Sequence, residues 1–381
     1  MNYKTKKMYA YLMILTICAT AGLHVWRTLF DNFAVNIVHL EGHHIGFLQS
    51  IREIPGFLAL LVVYALLIIK EHKLSALSVL FLGLGVTLTG VFPSFYGLVF
   101  TTLIMSFGFH YFETTNQSLT LQYFDTKTAP LVFGKLRSVA AGSNIVCGVL
   151  IVLLSPVLKY QQLYGMFGLI IVGAALLMLF KDPSEKNIVP QRKQMVLRGK
   201  YWLFYALTFM AGARRQIFIA FAVFLLVKHF SYSVSEIALL FLLNNLVNYF
   251  LSPFIGKCIV WFGERRVLSV EYVSLVIIFL AYAHVDSKWL AGILYIADHI
   301  FFNFAIAIRT FFQKIADPED IAPSMAVGFT INHVAAVFLP AIGGLLWVFN
   351  YRLVFYTGAL LSLISLILVQ LITSQLKKNE H

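Results

Sequence analysis

The chain has 381 residues, of which 60% are hydrophobic and only 12% charged, with a net charge of +12. Against a usual quarter of charged residues, this composition excludes a water-soluble globular domain over most of the length. The positive balance does not point to nucleic acid either, because the basic residues follow the loops and form no aromatic-interleaved patch.

Apolar stretches of about 20 residues, enough to cross roughly 30 Å of hydrocarbon as a helix, recur along the whole chain. They predict about twelve membrane helices, near 8–36, 45–69, 74–92, 95–122, 130–157, 162–180, 201–227, 234–260, 267–284, 288–312, 322–347 and 352–374. Runs such as Leu58 to Ile69 do not alternate apolar and polar positions, which argues against a strand barrel. Backbone hydrogen bonds closed within lipid then leave helices. The first segment is too long for a removable signal peptide and lacks a small-residue cleavage site. Cys18, Cys147 and Cys258 are isolated and suggest neither a disulfide framework nor a zinc motif.

With an inside amino terminus, most of the 29 basic residues fall on cytoplasmic ends and loops. The opposite side keeps Lys159, Lys228, Lys288 and Arg352. This bias places both termini in the cytoplasm of a plasma (bacterial inner) membrane.

Charge inside the segments carries the functional signal, since it costs about 2.5–3.5 kcal/mol per residue in lipid. Arg27 and Asp31 fall in the first segment, Arg52 and Glu53 in the second, His110 and Glu113 in the fourth. Asn144 lies in the fifth, Arg214 and Arg215 in the seventh, Asp298, His299 and Arg309 in the tenth, and His333 in the eleventh. The third, sixth, ninth and twelfth segments read as almost free of ionisable groups, so the third and sixth of each half are expected to face lipid.

Two stretches repeat each other. Trp26 to Val35 and Arg214 to Val223, aligned on Arg27 and Arg215, both read Arg-x-x-Phe-x-x-Phe-Ala-Val, at about half the chain length apart. His110-Tyr-Phe and His299-Ile-Phe recur at nearly the same offset, which also sets Asn144 opposite His333. Such self-similarity implies two copies of one unit. Between them, Asp182 to Lys200 is polar, basic and broken by Pro183, Pro190 and Gly199, as a cytoplasmic linker would be. The expected organisation is a six-helix bundle over 1–181, a linker over 182–200 and a second six-helix bundle over 201–381.

Across essentially its whole length the chain resembles the major facilitator superfamily. Gly256-Lys-Cys-Ile-Val-Trp-Phe-Gly-Glu-Arg-Arg266 is similar to that family's glycine- and arginine-rich loop, keeping Gly256, Gly263, Arg265 and Arg266. Val260 and Trp261 replace its acidic and basic pair, and Lys70-Glu-His-Lys73 in the first half keeps little but charge. The resemblance implies alternating access in a monomer, with a cavity lined by the first and fourth helices of each half.

Arg27 and Arg215 are the sharpest pair, because two guanidiniums suit bidentate binding of a carboxylate or phosphate. The arrangement is similar to that of the superfamily's organophosphate exchangers. The alternative is that Arg27 pairs with Asp31, one turn away, and braces the helix. His110 and Glu113 share one helical face, where an imidazole beside a carboxylate suits proton coupling; Asp298 and His299 offer a second such group. Arg52 and Glu53 read as gating or packing residues, as does Pro340 with Gly343 and Gly344 in a helix able to bend. His110, Glu113, Asp298, His299 and His333 together would suit a divalent metal, though no dedicated ligand motif joins them. No phosphate loop, nucleophile elbow or His-Glu-x-x-His sequence occurs, so neither an enzyme nor a cofactor is expected. The reading is a secondary transporter of a small organic or phosphorylated anion, coupled to a proton or another ion. A divalent-metal transporter is the alternative, and a lipid flippase or membrane-embedded enzyme a third.

Overall fold

A helix closes all its backbone hydrogen bonds within itself, and the long apolar runs of this chain form helices throughout. The computed structural model describes residues 3–40, 42–185, 188–232 and 234–378, except for a few helical side chains among them. Every regular element among the described residues is helical.

In chain order these are α1 (Tyr3–Asn36), α2 (Gly42–Phe57), α3 (Val62–Ala65), α4 (Glu71–Val91), α5 (Phe95–Tyr123), α6 (Ala129–Leu154) and α7 (Tyr160–Leu179). After the linker come α8 (Trp202–Lys228), α9 (Val234–His284), α10 (Lys288–Phe302), α11 (Ile306–Ile315), α12 (Ile321–Phe349), α13 (Tyr351–Gln370) and α14 (Ile372–Lys378). Polar residues mark several starts. The Ser94 hydroxyl accepts from the Gly97 amide at 3.1 Å and the Asn350 side chain from the Arg352 amide at 3.0 Å, each satisfying a donor that the first turn leaves open.

Ten helical runs among the described residues are long and apolar enough to cross a membrane. The 51-residue α9 far exceeds one crossing, and it breaks at Gly263, where φ is 76° and ψ 162°. Only glycine takes that conformation without strain, so Gly263 divides α9 in two.

Two helices are interrupted by a 3₁₀ turn. Leu58–Leu61 separates α2 from α3, just after Pro55, and Asn303–Ala305 separates α10 from α11. Tightened mid-helix turns of this kind are common at functional hinges.

The chain forms two compact units, one of Met1–Phe124, Val139–Val196 and Pro318–Thr330, the other of Asp125–Ser138, Leu197–Asp317 and Ile331–His381. In the first, α4 packs against α1, α5 and α7. A Cβ on Gly85 would lie 2.5 Å from the Met105 amide nitrogen, so the glycine permits the close approach of α4 and α5. α4 is the most enclosed of the ten spans, because Ser75, Ser78, Gly83, Gly85 and Gly90 let its neighbours close around it.

In the second unit α9 packs against α10 and α13, and α8 against α13. Phe218, Phe221, Leu225, Phe279, Tyr282 and Phe355 are among the residues that fill its core.

Candidate functional site

Arg27 and Arg215 are both exposed, although each lies inside a membrane-length helix, α1 and α8. Their sequence neighbours Trp26 and Arg214 are buried, at 0% and 1% exposure, so each motif turns one side chain into its unit and the next outward. Asp31 is also exposed, on α1. The Arg215 guanidinium lies 5.8 Å from the Phe302 ring centroid. A guanidinium against acyl chains is costly.

In the first unit Arg52 and Glu53 pair with each other at 2.7 Å. The Arg52 guanidinium lies 6.0 Å from the Trp26 ring centroid, and its carbonyl accepts from the Ser106 hydroxyl. Glu53 and His110 bring ligand atoms within 4.8 Å of one another. His110 is buried, edge-on to Phe329 at 5.8 Å, while Glu113 one turn further is half-buried. The acid beside His110 therefore includes Glu53 from α2, which helical spacing along α5 could not reveal. Asn144 is half-buried on α6.

The second unit holds a cluster that the sequence reading missed. Arg214, Glu271 and Asp298 are 1%, 0% and 1% exposed. An Arg214 Nη lies 3.6 Å from a Glu271 carboxylate oxygen, and its guanidinium sits 4.3 Å over the Tyr272 ring. The other Nη donates to the Ser365 hydroxyl, which in turn donates to the Leu361 carbonyl at 2.7 Å. Asp298 interacts electrostatically with both Arg214 and Glu271. The ninth segment is thus not free of charge, and Glu271 belongs to the buried interior. Its one advance sign was an acid inside an apolar run of membrane length.

His299 follows Asp298 but turns elsewhere. Its Nδ1 lies 3.3 Å from the Tyr295 carbonyl and its ring is edge-on to Phe218 at 4.9 Å. His333 is half-buried on α12, and beside it the Asn332 amide donates to the Thr208 carbonyl at 3.1 Å. Pro340 lies outside the described side chains. The half-buried Arg309 sits 5.7 Å from the Phe133 ring centroid.

Within the glycine–arginine loop, Gly256 sits at a close approach of two helices. A Cβ on Gly256 would fall 2.5 Å from the Pro130 carbonyl oxygen, so this glycine lets α6 and α9 touch. Arg265 and Arg266 are exposed, and Arg265 donates to the Thr373 hydroxyl at 3.4 Å. Beside Gly263, the buried Glu264 takes Lys314 at 2.7 Å. In the first unit, the Glu71 carboxylate accepts from the Gln122 amide at 2.7 Å, and the His72 ring lies 3.5 Å from Asp182. Asp182 lies outside the membrane-spanning helices. The Ser184 hydroxyl and amide, then His72 and Lys70, hold its carboxyl below the usual carboxylate range.

The polar linker is also bound down. In the first unit Arg192 pairs with Glu319 and, at 2.7 Å, with the buried Asp320. In the second, Arg198 and Lys200 meet Asp317 at 2.8 and 2.6 Å.

Comparison with known proteins agrees with this architecture. The sequence profile described as Major Facilitator Superfamily matches residues 12–322 and 208–380. The fold is similar to that of a bacterial homologue of the iron transporter ferroportin in an outward-facing state, with a TM-score of 0.78 at 14% identity, covering 96% of this chain and 99% of that one. It is similar to the human organic anion transporter MFSD10 (TETRAN), with a TM-score of 0.75 at 12% identity over 96% and 99% of the two chains. It also resembles the E. coli fucose:proton symporter FucP, with a TM-score of 0.76 at 12% identity over 96% and 98%. No curated protein matches the sequence.

Proposed function

The chain belongs to the Major Facilitator Superfamily and is a secondary active transporter of a small solute, and from that premise we propose that the solute is a small organic or phosphorylated anion. Arg27 and Arg215 supply its binding groups. The observation that carries this reading is that both guanidiniums are exposed at the same place in a repeated motif, inside helices long and apolar enough to cross a membrane. Arginine offers paired donors to a carboxylate or phosphate. MFSD10, to which the fold is similar, is described as an organic anion transporter.

The organisation we propose is twelve helices in two bundles, 1–181 and 201–381, joined by the linker 182–200. Dividing α9 at Gly263, and counting α12 beside the ten spans, supports that number. Both termini are cytoplasmic, the bilayer is a plasma (bacterial inner) membrane and the working unit is a monomer. Movement of the solute is coupled to a proton or another ion.

Divalent-metal transport is the second reading. It is supported by the approach of Glu53 to His110 and by the likeness to a ferroportin homologue. Asp298 does not favour it, because Arg214 already supplies the neighbouring cation.

A thermal-shift screen of the purified protein against organic anions, sugar phosphates and divalent metals tests the choice, since a ligand stabilises the state that binds it. The anion reading expects stabilisation by at least one anion, reduced in Arg27→Gln and in Arg215→Gln. Stabilisation by metals alone, lost in His110→Ala, would replace it with the second reading.

A further inference from the structure

We propose that Arg214, Glu271 and Asp298 form a site that holds one exchangeable proton, the ion that drives solute movement. This deepens the reading of coupled transport, and rests on it only for the use made of the proton.

The argument begins with a charge count. Arg214 on α8, Glu271 on α9 and Asp298 on α10 are all closed off from solvent. Guanidinium stays charged at any working pH. With both acids ionised, the trio would carry one uncompensated negative charge in a low-dielectric interior, where an unpaired ion is strongly disfavoured. Among the described residues no second cation forms an ion pair with either acid. The titratable groups facing the trio are Tyr272 and Tyr282 from α9 and Tyr295 from α10, while α13 contributes the Ser365 hydroxyl. His299 turns its Nδ1 to the Tyr295 carbonyl. Neutrality therefore calls for one proton shared by two carboxyl groups.

Geometry says which acid carries it. Glu271 lies 3.6 Å from Arg214 and is the paired carboxylate. The buried oxygens of both acids have no hydrogen-bond partner among the described residues, and of the two only Glu271 comes within ion-pair distance of Arg214 there. Asp298 is the acid left to be neutral.

The position also allows the proton to leave. Asp298 lies one turn before the 3₁₀ interruption Asn303–Ala305. In that stretch the Asn303 amide donates to the His299 carbonyl at 2.8 Å and to the Asn248 side chain on α9. A helix that flexes there alters the distance from Asp298 to Arg214 and opens the trio to water; a nearer guanidinium then favours the ionised carboxyl, whose proton passes to that water. The arrangement suits an acid that alternates between a neutral, isolated state and an ionised, paired one.

Infrared difference spectra of the purified protein in lipid nanodiscs, titrated from acid to alkaline pH in sodium-free choline buffer without any solute, test the site. The wild type is expected to show one carboxylic-acid C=O band that shifts in D₂O and disappears at high pH. Asp298→Asn and Glu271→Gln should each remove it, because a single remaining acid is neutralised by Arg214. Arg27→Gln should leave it intact, so the result stands apart from the fate of the anion-binding reading. A wild type without this band at any pH, or a band that persists in both the Asp298 and Glu271 variants, would overturn the proposal.

Discussion

The two copies of the repeated motif differ most at one buried position. Trp26 in the first unit and Arg214 in the second precede the matched Arg27 and Arg215, and both are buried. Trp26 stacks on Phe30 at 4.3 Å, with the Arg52 guanidinium 6.0 Å from its ring centroid. Arg214 instead meets Glu271, Tyr272 and Ser365. One scaffold thus carries an aromatic anchor in one copy and an ion cluster in the other. The exposed arginine is common to both, while the buried charge belongs to the second unit alone at this position. A shared feature on both copies suits the solute, and a feature of one copy suits a partner ion.

The largest effects are expected where that difference is attacked directly. Trp26→Ala should destabilise by about 3–5 kcal/mol through lost burial and the cavity left behind. Arg214→Ala should cost a similar amount, about 3–5 kcal/mol, because it leaves buried acids without their counter-charge. Denaturation midpoints in detergent separate the mechanisms. Glu271→Gln combined with Asp298→Asn should recover part of the Arg214→Ala loss and none of the Trp26→Ala loss. Equal recovery in both backgrounds would erase the distinction drawn between the units.

A sharper version converts the second copy toward the first. Arg214→Leu with Glu271→Leu and Asp298→Leu replaces buried ions by apolar side chains, a change that is often neutral or stabilising by about 1–4 kcal/mol. The triple variant should remain folded on size-exclusion chromatography while losing gradient-driven accumulation in proteoliposomes. Retained accumulation would mean that the ions serve the fold only.

Smaller effects are expected at the helix ends. Glu264→Gln breaks a pair whose acid is buried and whose lysine is one-third exposed, so a loss of about 1–3 kcal/mol is expected. Asp182 in the first unit is exposed, and Asp182→Asn should change the melting temperature only slightly. The sign is fixed by its depressed carboxyl. The stabilisation is present above the ordinary carboxylate range and fades as pH falls through the folded value. A melting difference that grows toward acid pH would contradict that assignment.

Much of this was legible in the chain. Membrane length, apolar runs and loop charge follow from composition, and the motif echo singled out Arg27 and Arg215. Asp298 stood out as an acid inside a helix. Glu271 did not, because one acid in an apolar run says nothing of a partner on another helix. Spacing along one helix sets His110 with Glu113, and it cannot display Glu53, which approaches His110 from α2. The enclosure of α4 was hidden for a related reason. Serines and glycines among apolar residues suit lipid or close packing equally, and only the neighbouring helices decide. The close approach of the Pro130 carbonyl to Gly256 is likewise invisible to the loop's resemblance, which shows only that the glycine is kept.

The central claim is that an anionic solute is held by the two exposed arginines. It is tested most directly by measuring the affinity of the best anion from the thermal-shift screen for wild type, Arg27→Gln, Arg215→Gln and Arg27→Glu. Each glutamine variant should bind at least about tenfold more weakly, or about 1.4 kcal/mol, and the charge reversal more weakly still, with melting temperatures close to wild type. Wild-type affinity in both glutamine variants would contradict the account.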